Sequence, residues 1–440
     1  MKTSSLGANK IQNFIIDNLV VIIFVSFTAL GFILSSGISH IFFLNELVDR
    51  VFRNIFLVLS LIIPVIAGLG LNFGIVVGAM AGQLAIIFIV YHDIGGFGGL
   101  MLCFLLATPM AILFGFLTGK LYNLVRGQET IASLIVGFFA QGVYMFILLF
   151  AVGGIFPVKP DHPIILFTQP GRSHGIGVRM SVDLGLYEDG GMKYALDNII
   201  RIPTMYLFLL AAVGILIYLI IKNQINRKKP GHKTQNPWLF RIYCLICVLV
   251  MGFSIFAIVT DFAYLMRLRR APLVTTLVVI ALCLFLHFIM KTKLGQDFRS
   301  VGQSQHIAEV SGINVDRTRI IATIFSTVLA AWGMIIFMQN MGTMATYDSH
   351  RNIGLFSVAA LLVGGASTSR ASVKNALIGA ALFNSMTIIS PELGKALLGD
   401  PITGEYFRSF MVYGVIGLAL GIYVWKTLKA EREKVTLDSP

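Results

Sequence analysis

Charged residues are scarce in this 440-residue chain: Asp, Glu, Lys and Arg make up 12% of it, whereas 56% of the residues are hydrophobic. Soluble domains carry about 25% charged residues. The composition therefore excludes a protein that covers its whole surface in water, and the mean hydropathy of +0.83 agrees with this. The sequence predicts an integral membrane protein, for which lipid acts as a solvent.

Cysteine is also scarce, with 4 residues that all fall in apolar stretches. Cys244 and Cys247 form a CxxC pattern, which in a soluble protein could be a redox motif. Inside a long uncharged stretch we interpret them as small apolar side chains. We expect no metal site and no cofactor.

Long apolar runs occupy most of the chain. Cutting the sequence at its charges gives runs at about 14–37, 54–91, 97–119, 130–152, 203–221, 242–260, 271–290, 320–338, 353–366, 375–390 and 409–425. The run 54–91 would form about 57 Å of helix, nearly twice the ~30 Å thickness of a bilayer core. We divide it into two spans that turn near Gly68–Asn72. The prediction is an all-α polytopic membrane protein, a single domain over 1–440 with about twelve transmembrane helices and broken or re-entrant segments.

Ionisable side chains are missing from these runs, apart from Asp17, His40 and His287 near their ends. Intramembrane acids and histidines are what proton relays and ion coupling use, so an ion-coupled secondary transporter is the weaker alternative. A channel or membrane scaffold is a second alternative. A P-loop is missing too, because Gly119-Lys120 lacks the GxxxxGK[ST] spacing. We expect no catalytic residue and no ATP hydrolysis in this chain.

The charges that remain are mostly basic, with 34 Lys and Arg against 21 Asp and Glu. They crowd the segments 222–237 and 291–319 and the C-terminal tail, which the positive-inside rule places in the cytoplasm. The loop 153–202 has five basic and five acidic residues, and we predict that it is extracytoplasmic. The arginines of 267–270 are an exception, because they fall outside in this scheme. Membrane topology explains the basic surplus, so we expect no nucleic-acid partner.

Glycine recurs at every fourth position in one apolar run, at Gly70, Gly74, Gly78 and Gly82. This spacing places the glycines on one face of a helix, where another backbone or a ligand can approach closely. Asn72 and Gln83 are the polar residues that flank the face. Two interpretations stay open: plain helix packing, and a packing face that also lines a translocation pathway.

Gly364 and Gly365 interrupt another apolar stretch, followed by small hydroxyl residues up to 372. This pattern is typical of a tight hairpin or broken helix at membrane depth, buried in protein. An ordinary cytoplasmic turn between two short spans explains it equally well.

The basic segment 291–319 contains signals for a short helix. Ser304 is a good N-cap, and Gly312 is a good residue to follow a helix end, which predicts a helix of about two turns. Such a helix has no role in spanning a membrane and suits a groove of another protein. A solvated loop is the alternative.

Residues 295–313 resemble the permease subunits of bacterial ABC importers for branched-chain amino acids, simple sugars and nucleosides. That family's pattern is roughly G-x-x-x-R-A-V-G-x-N-x-x-A-A-x-x-S-G-I, and the matching residues are Gly295, Arg299, Val301, Gly302, Ala308, Ser311, Gly312 and Ile313. Ser300, Ser304 and Ile307 depart from it. The resemblance implies a coupling helix that docks on an ATPase subunit, with contacts from Arg299, Gly302, Ser304, Ala308, Glu309 and Gly312.

Three other stretches are similar to the same family, and two of them are typical of its nucleoside and simple-sugar branch. They are Gly70-Leu-Asn-Phe-Gly74, the segment that starts at Glu129, and residues 359–379. The resemblance covers about 55–152 and 271–427, whereas 153–260 departs from it through a long loop and two extra spans over 203–260. The pathway residues that we predict are Asn72, Gly74, Gly78, Gln83, Gly364 and Gly365.

The resemblance implies the permease subunit of an ABC importer in a bacterial cytoplasmic (inner) membrane, working by alternating access. Its implied cargo is a nucleoside or simple sugar, ahead of riboflavin-like or amino-acid cargo. The implied partners are cytoplasmic ABC ATPase subunits, a second permease subunit that is identical or related, and an extracytoplasmic substrate-binding protein or lipoprotein, besides membrane lipid.

Overall fold

A computed structural model defines the fold. It describes residues 19–34, 40–159, 161–167, 176–185, 191–228, 237–260, 270–400, 402–411, 413–414, 417–418, 421 and 425. The helices, strands and contacts of the fold all belong to these residues.

Helices make up most of the described chain. They are α1 (Leu19–Leu34), α2 (His40–Ser60), α3 (Ile62–Ile66), α4 (Ile75–Tyr91), α5 (Gly96–Leu124), α6 (Glu129–Phe146, extended by a π-helical turn over Ile147–Ala151), α7 (Thr204–Lys228), α8 (Pro237–Val259), α9 (Leu273–Ile289), α10 (Lys293–Gln303), α11 (Gln305–Val310), α12 (Val315–Met341), α13 (Arg351–Val363) and α14 (Val373–Leu398). Residues 402–411 are helical as well.

The all-α prediction agrees with the structure, which also contains six three-residue strands among the described residues. They are β1 (Ile165–Phe167), β2 (Ile176–Val178), β3 (Ser181–Asp183), β4 (Arg201–Pro203), β5 (Arg270–Pro272) and β6 (Thr343–Ala345). They form three antiparallel pairs, β1–β2, β3–β6 and β4–β5. The pairing of β3 with β6 attaches the loop 153–202 to the segment that follows α12. Pairs between strands so far apart in sequence depend on tertiary contacts, which local sequence patterns do not reveal.

The core forms around α12, which packs against α5, α4 and α2. Almost every side chain of α4 is buried, apart from those of Leu84, Phe88 and Tyr91. A helix that is apolar on all sides and buried on all sides is an interior helix of a membrane bundle. In contrast, α7 and α8 pack mainly against each other and expose many large apolar side chains.

The apolar run 54–91 breaks where predicted. A non-helical segment, 67–74, separates α3 from α4, and Gly68 and Gly70 in it have φ of +75° and +68°. Side chains other than glycine rarely adopt that left-handed backbone. The helix before the break starts earlier than the apolar run suggests, because α2 begins at His40 and includes charged residues of its first half.

The count of candidate spans among the described residues does not reach the predicted twelve. Six helices are long and apolar enough to cross a membrane, or seven if the bent pair α9–α10 counts as one span. The chain is therefore a multi-pass membrane protein, and the twelve-helix count is not confirmed. One predicted span, 353–366, corresponds to α13. Its 13 residues reach only about 20 Å, against a bilayer core of about 30 Å.

The two loops with predicted roles lie at opposite ends of α4. At the end that begins α4, the backbone of Gly68 meets that of Gly302. At the other end, the hydroxyl of Tyr91 accepts a hydrogen bond of 3.0 Å from the backbone N–H of Lys159. The pairing of β4 with β5 places Arg270 at the same end as Arg201. Of the arginines in 267–270, the other two lie outside the described residues.

Candidate functional site

A capped helix stands at the end of the bundle where α12 begins. The Ser304 hydroxyl accepts a hydrogen bond of 3.3 Å from the backbone N–H of Ile307, which makes Ser304 the N-cap of α11. Gly312 has a φ of +80° after the last turn, and the backbone N–H of Ile313 bonds to the carbonyl of Ala308. The predicted short helix and both of its boundaries are confirmed.

The side chain of Ala308 points into the protein, so the exposed face of α11 does not include it. It is 1% exposed and packs in a small cluster with Val301, Val315 and Ile313. The exposed apolar side chains of α11 are Ile307 (66%) and Val310 (77%). On so short a helix, the sequence alone does not show which face packs against the rest of the chain.

Sequence reasoning missed the helix α10, which precedes α11 and holds it in place. Thr292 caps α10 through a hydrogen bond from the backbone N–H of Gly295, and Phe298 and Val301 bury its inner face. The side chain of Arg299 lies on its exposed face.

Gly302 joins this end of the bundle to the break before α4. A Cβ on Gly302 would lie 3.0 Å from the carbonyl carbon of Ile66 and 3.1 Å from the nitrogen of Gly68. A Cβ on Gly68 would lie 2.8 Å from the Cα of Gly302. The two backbones therefore cross with no room for a side chain on either glycine.

Three ion pairs connect the turn between α5 and α6, and the first residue of α6, to α11 and α12. Arg126 lies 2.6 Å from Asp316 and 3.4 Å from Glu309, on the surface, and the hydrogen bond from its guanidinium to Asp316 raises the pKa of Arg126. Arg319 is fully buried and lies 2.6 Å from Glu129. The apolar run predicted from the sequence starts at 320, whereas α12 begins earlier, at Val315. The predicted span therefore left out Arg319 and its ion pair.

The glycine face of α4 packs against another backbone. A Cβ on Gly82 would lie 2.6 Å from the carbonyl oxygen of Ala331, and one on Gly78 would collide with the backbone of Thr327, both on α12. Gly74 instead faces Asn72 and the hydroxyl of Tyr122. This geometry favours the packing interpretation of the stripe.

Asn72 stabilises the break before α4. Its side-chain oxygen accepts hydrogen bonds from the Gly74 backbone N–H (2.9 Å) and the Tyr122 hydroxyl (2.7 Å). Its amide nitrogen lies 3.4 Å from the Ser326 hydroxyl. The side chain is 1% exposed, so its polar groups are occupied by the fold.

Gln83 belongs to a buried polar network centred on His350, which sequence reasoning missed. The two ring nitrogens of His350 contact the side-chain oxygens of Gln83 and Gln141, and the Tyr144 hydroxyl donates to the carbonyl of Thr346 at 3.1 Å. A neutral imidazole has one N–H, so one of the two amides must turn its NH₂ towards the ring. The Gln141 amide nitrogen donates to the Tyr347 carbonyl at 2.9 Å, whereas that of Gln83 has no partner among the described residues. This difference favours Gln83 as that donor.

Gly364 and Gly365 end α13 at a hairpin with α14. A Cβ on Gly364 would lie 2.8 Å from the nitrogen of Gly379, and the Asn375 amide donates to the Gly364 carbonyl at 2.7 Å. The helices are thus tightly packed, while Gly365 and several residues after it are exposed or half-buried. The hairpin combines features of both interpretations, a close glycine contact and an accessible turn.

Two cavities, each lined by both polar and apolar side chains and called the two polar cavities below, flank the N-terminal end of α13. One, of about 480 Å³, is lined by Phe73, Val76, Ser133, Leu134, Gly137, Phe138, Gln141, Asp348, Arg351, Asn352, Gly354, Leu355 and Tyr413. The other, of about 290 Å³, is lined by residues of α2, α12, α13 and α14 together with Asp348 and Asn352. None of the six predicted pathway residues lines either cavity. Cavities form where distant elements meet, which the sequence does not show.

Comparisons with known proteins point to one family. The family model described as branched-chain amino acid transport system / permease component matches residues 53–420. The xylose transport system permease protein XylH of Haemophilus influenzae is 29% identical over 188 residues, 42% of this chain and 44% of that protein. The probable branched-chain amino acid transport permease protein LivH of Methanocaldococcus jannaschii is 32% identical over 153 residues, 34% of this chain and 44% of that protein.

A third relative is the nucleoside ABC transporter permease protein NupC of Lactococcus lactis subsp. cremoris, 27% identical over 159 residues, 36% of this chain and 48% of that protein. Each alignment spans less than half of the relative's length. No solved structure matches the chain. The family match extends from the middle of α2 to beyond α14 and includes α11 and both polar cavities. The chain therefore belongs to the family of branched-chain amino acid transport system permease components.

Proposed function

We propose that this chain is the translocation subunit of an ABC importer for a small polar solute, with a nucleoside or a simple sugar as the leading cargo. Two permease subunits, identical or related, would stand on two cytoplasmic ATPases, and an extracytoplasmic binding protein or lipoprotein would deliver the solute. The membrane would be the bacterial cytoplasmic membrane. Family membership and relatives named for xylose and nucleosides support this proposal.

The observation that carries the proposal is the exposed apolar face of α11. Ile307 and Val310 project from a helix whose other side, through Ala308, is packed on the chain itself. Both helix ends are capped by the chain's own groups, so the helix is rigid before it meets a partner. Exposed apolar side chains on a rigid short helix are typical of a helix that fits a groove.

The way in which α11 is connected to the rest of the bundle supports a role in coupling the ATPase to the pathway. The segment before it crosses the break 67–74 at Gly302, and the segment after it becomes α12, which contacts α5, α4 and α2. A displacement of α11 would therefore reach the centre of the bundle through packed backbone. We propose that ATPase closure moves α11 and thereby switches the pathway between its two open sides, as alternating access requires.

Replacing the exposed apolar pair tests the docking face. In Ile307→Ser with Val310→Ser, we expect normal membrane insertion, since neither side chain is buried, and loss of most of the co-purifying ATPase. The matched control is Ile199→Ser, the same change at an exposed position at the opposite end of the bundle. That variant should keep the ATPase.

ATPase retention by the double variant would exclude α11 as the docking helix. Failure of the wild-type chain to retain any ATPase would overturn the importer assignment as a whole. Uptake that needs no ATPase would then favour the secondary transporter or the channel.

A further inference from the structure

The first observation is that α13 is a half-length helix whose N-terminal end lies at the mid-height of α4. Gln83 is the central residue of the 17-residue α4, about 12 Å from either end. His350 contacts Gln83 and directly precedes α13. The chain after α12 must therefore descend into the bundle before α13 starts. Irregular backbone at membrane depth occurs where it is buried in protein or lines a cavity.

The second observation is that both polar cavities meet at this helix end. Asp348 and Asn352 line both of them, and Arg351 lines the larger one together with Ser133 and Gln141 of α6. Two cavities of about 480 and 290 Å³, joined at shared side chains, fall within the size range of small-molecule sites.

The third observation concerns the polar side chains at this junction. Those of Asp348, Arg351 and Asn352 are exposed to the cavities, and among the described residues they form no ion pair or side-chain hydrogen bond. In contrast, His350 and Gln141 beside them bond to other groups of the fold. Polar and charged groups within a membrane protein are costly unless they have a function.

We propose that Asp348, Arg351 and Asn352 form the solute-binding site of this permease, and that the solute is a neutral polyhydroxylated molecule such as a sugar or the ribose of a nucleoside. This inference rests on the proposed transport function and adds where the solute is held. Half-helix N-termini at mid-membrane depth form the substrate sites of other transporter folds. Because Arg351 and Asn352 are the first residues of α13, solute binding at this site would act directly on that helix.

The lining favours a sugar-like solute over a charged one. A carboxylate and a guanidinium with opposite charges, together with amide and hydroxyl groups, offer both acceptors and donors to hydroxyl groups. Phe73, Phe138 and Tyr413 add aromatic surface to the same cavity, which suits the apolar face of a sugar ring or a base. A zwitterionic amino acid, with its two charges matched by Asp348 and Arg351, is the competing ligand class.

Protection of a cysteine probes occupancy directly. Asn352→Cys, in a chain whose four native cysteines are replaced by Ala, is treated with a membrane-impermeant thiol reagent in the purified importer with its ATPase. We expect D-xylose or uridine at millimolar concentration to slow labelling about tenfold, and L-leucine to leave it unchanged. Protection by L-leucine alone would overturn the assigned ligand class.

Transport by charge variants provides the second measurement. In the reconstituted importer, Asp348→Asn and Arg351→Gln should each raise KM for the transported probe by about tenfold or more, as loss of a charge-assisted hydrogen bond predicts. Arg370→Gln removes the same charge in the exposed turn at the other end of α13 and should leave KM unchanged. The Asp348 and Arg351 variants should retain the ATPase, because the adjoining His350 contacts Gln83 at the middle of α4, whereas the segment that holds α11 meets the break before α4.

These two experiments distinguish failure of the proposed solute site from failure of the importer proposal. If the wild-type complex transports a probe but no probe protects Asn352→Cys and the KM values do not change, the site is refuted and the importer stands. If the wild-type complex holds no ATPase, the importer proposal and the site fall together.

Discussion

The charged side chains of Arg319 and Glu129 show how much burial changes the role of a residue. Arg319 is fully buried, donates to Glu129 at 2.6 Å and to the carbonyl of Tyr122 at 2.9 Å, and leaves Nε and Nη1 without a partner among the described residues. Arg126 and Asp316, only a few residues away, form a pair of similar length on the surface. Desolvation makes the buried pair critical and leaves the exposed pair of little consequence.

We predict that Glu129→Gln lowers the free energy of unfolding by about 3–5 kcal/mol, because it leaves the Arg319 charge buried and unpaired. Thermal denaturation of the purified protein in detergent measures the change. Asp316→Asn is the matched control and should cost about 1 kcal/mol or less. Replacing both partners, as Glu129→Leu with Arg319→Met, should recover most of the loss. Equal effects of Glu129→Gln and Asp316→Asn would contradict the role of burial.

The sequence correctly predicted residues whose role depends on adjacent residues. It misassigned Ala308, whose role depends on contacts with other elements. Ser304 and Gly312 were recognisable because a cap depends on a few adjacent backbone groups. Ala308 matches the family pattern, yet its contacts with Val301 and Val315 depend on how α10 and α12 fold around α11. The exposed partners of the helix, Ile307 and Val310, could be identified only from the structure.

At the scale of elements, glycines hold the central helices together. Gly78 and Gly82 of α4 face the backbone of α12, and Gly115 and Gly119 of α5 face Ile324 and Ile320 of the same helix. In lipid, close backbone contact supplies van der Waals attraction that the hydrophobic effect does not provide between helices. A stripe of small residues on each neighbour therefore sets the position of α12.

We predict that Gly78→Ala destabilises the protein even though alanine is the better helix former by about 1 kcal/mol. The added Cβ would collide with the Thr327 backbone and separate α4 from α12. Gly214→Ala on α7 is the control, because nothing lies within 4 Å of the position of its Cβ, and it should be neutral or stabilising. Thermal stability in detergent measures both. A stabilising effect of Gly78→Ala would show that the contact between α4 and α12 can accommodate the added methyl group.

Helices were predicted better than the way they meet. The break near Gly68–Asn72 follows from local glycine and asparagine chemistry, and the structure has it at 67–74. The run 353–366 gave no sign that α13 is half-length, because its start is set by the contact of His350 with Gln83, far away in sequence. The six predicted pathway residues accordingly line neither of the two polar cavities.

The loop 153–202 is part of the fold, which changes how its role must be tested. Val178, Val182 and Leu184 are buried in the main core, so deleting 165–195 would damage folding as well as any docking surface. Met180 is 75% exposed on the same loop. We predict that Met180→Asp weakens uptake supported by the binding protein and leaves the retained ATPase and thermal stability unchanged. Unchanged uptake would place the docking surface elsewhere.

At the scale of the whole molecule, one continuous chain of contacts connects the proposed docking helix to the proposed solute site. The segment that holds α11 crosses the break 67–74 at Gly302. The break leads into α4, and Gln83 of α4 contacts His350 at the start of α13. The C-terminal end of α12 continues into β6, which pairs with β3 of the loop 153–202. A movement at either end of the bundle would therefore reach the two polar cavities through α4 or α12.

Gly302 is a point of close backbone contact on this route. Its replacement tests the route as a whole. Gly302→Ala would place a methyl group 3.0 Å from the carbonyl carbon of Ile66 and 3.1 Å from the nitrogen of Gly68, so the coupling segment must move away from the break. The exposed face of α11 would stay intact. We predict that the variant retains the ATPase and hydrolyses ATP, and that the solute transported per ATP falls several-fold.

The measurement is uptake into proteoliposomes with ATP hydrolysis recorded on the same sample. Gly98→Ala, with nothing within 4 Å of the position of its Cβ at the opposite end of the bundle, is the control and should behave as wild type. Loss of ATPase binding in Gly302→Ala would assign Gly302 to docking. An unchanged ratio of transport to hydrolysis would show that motion reaches the cavities through α12 alone, since α12 is the other element that follows directly from α11.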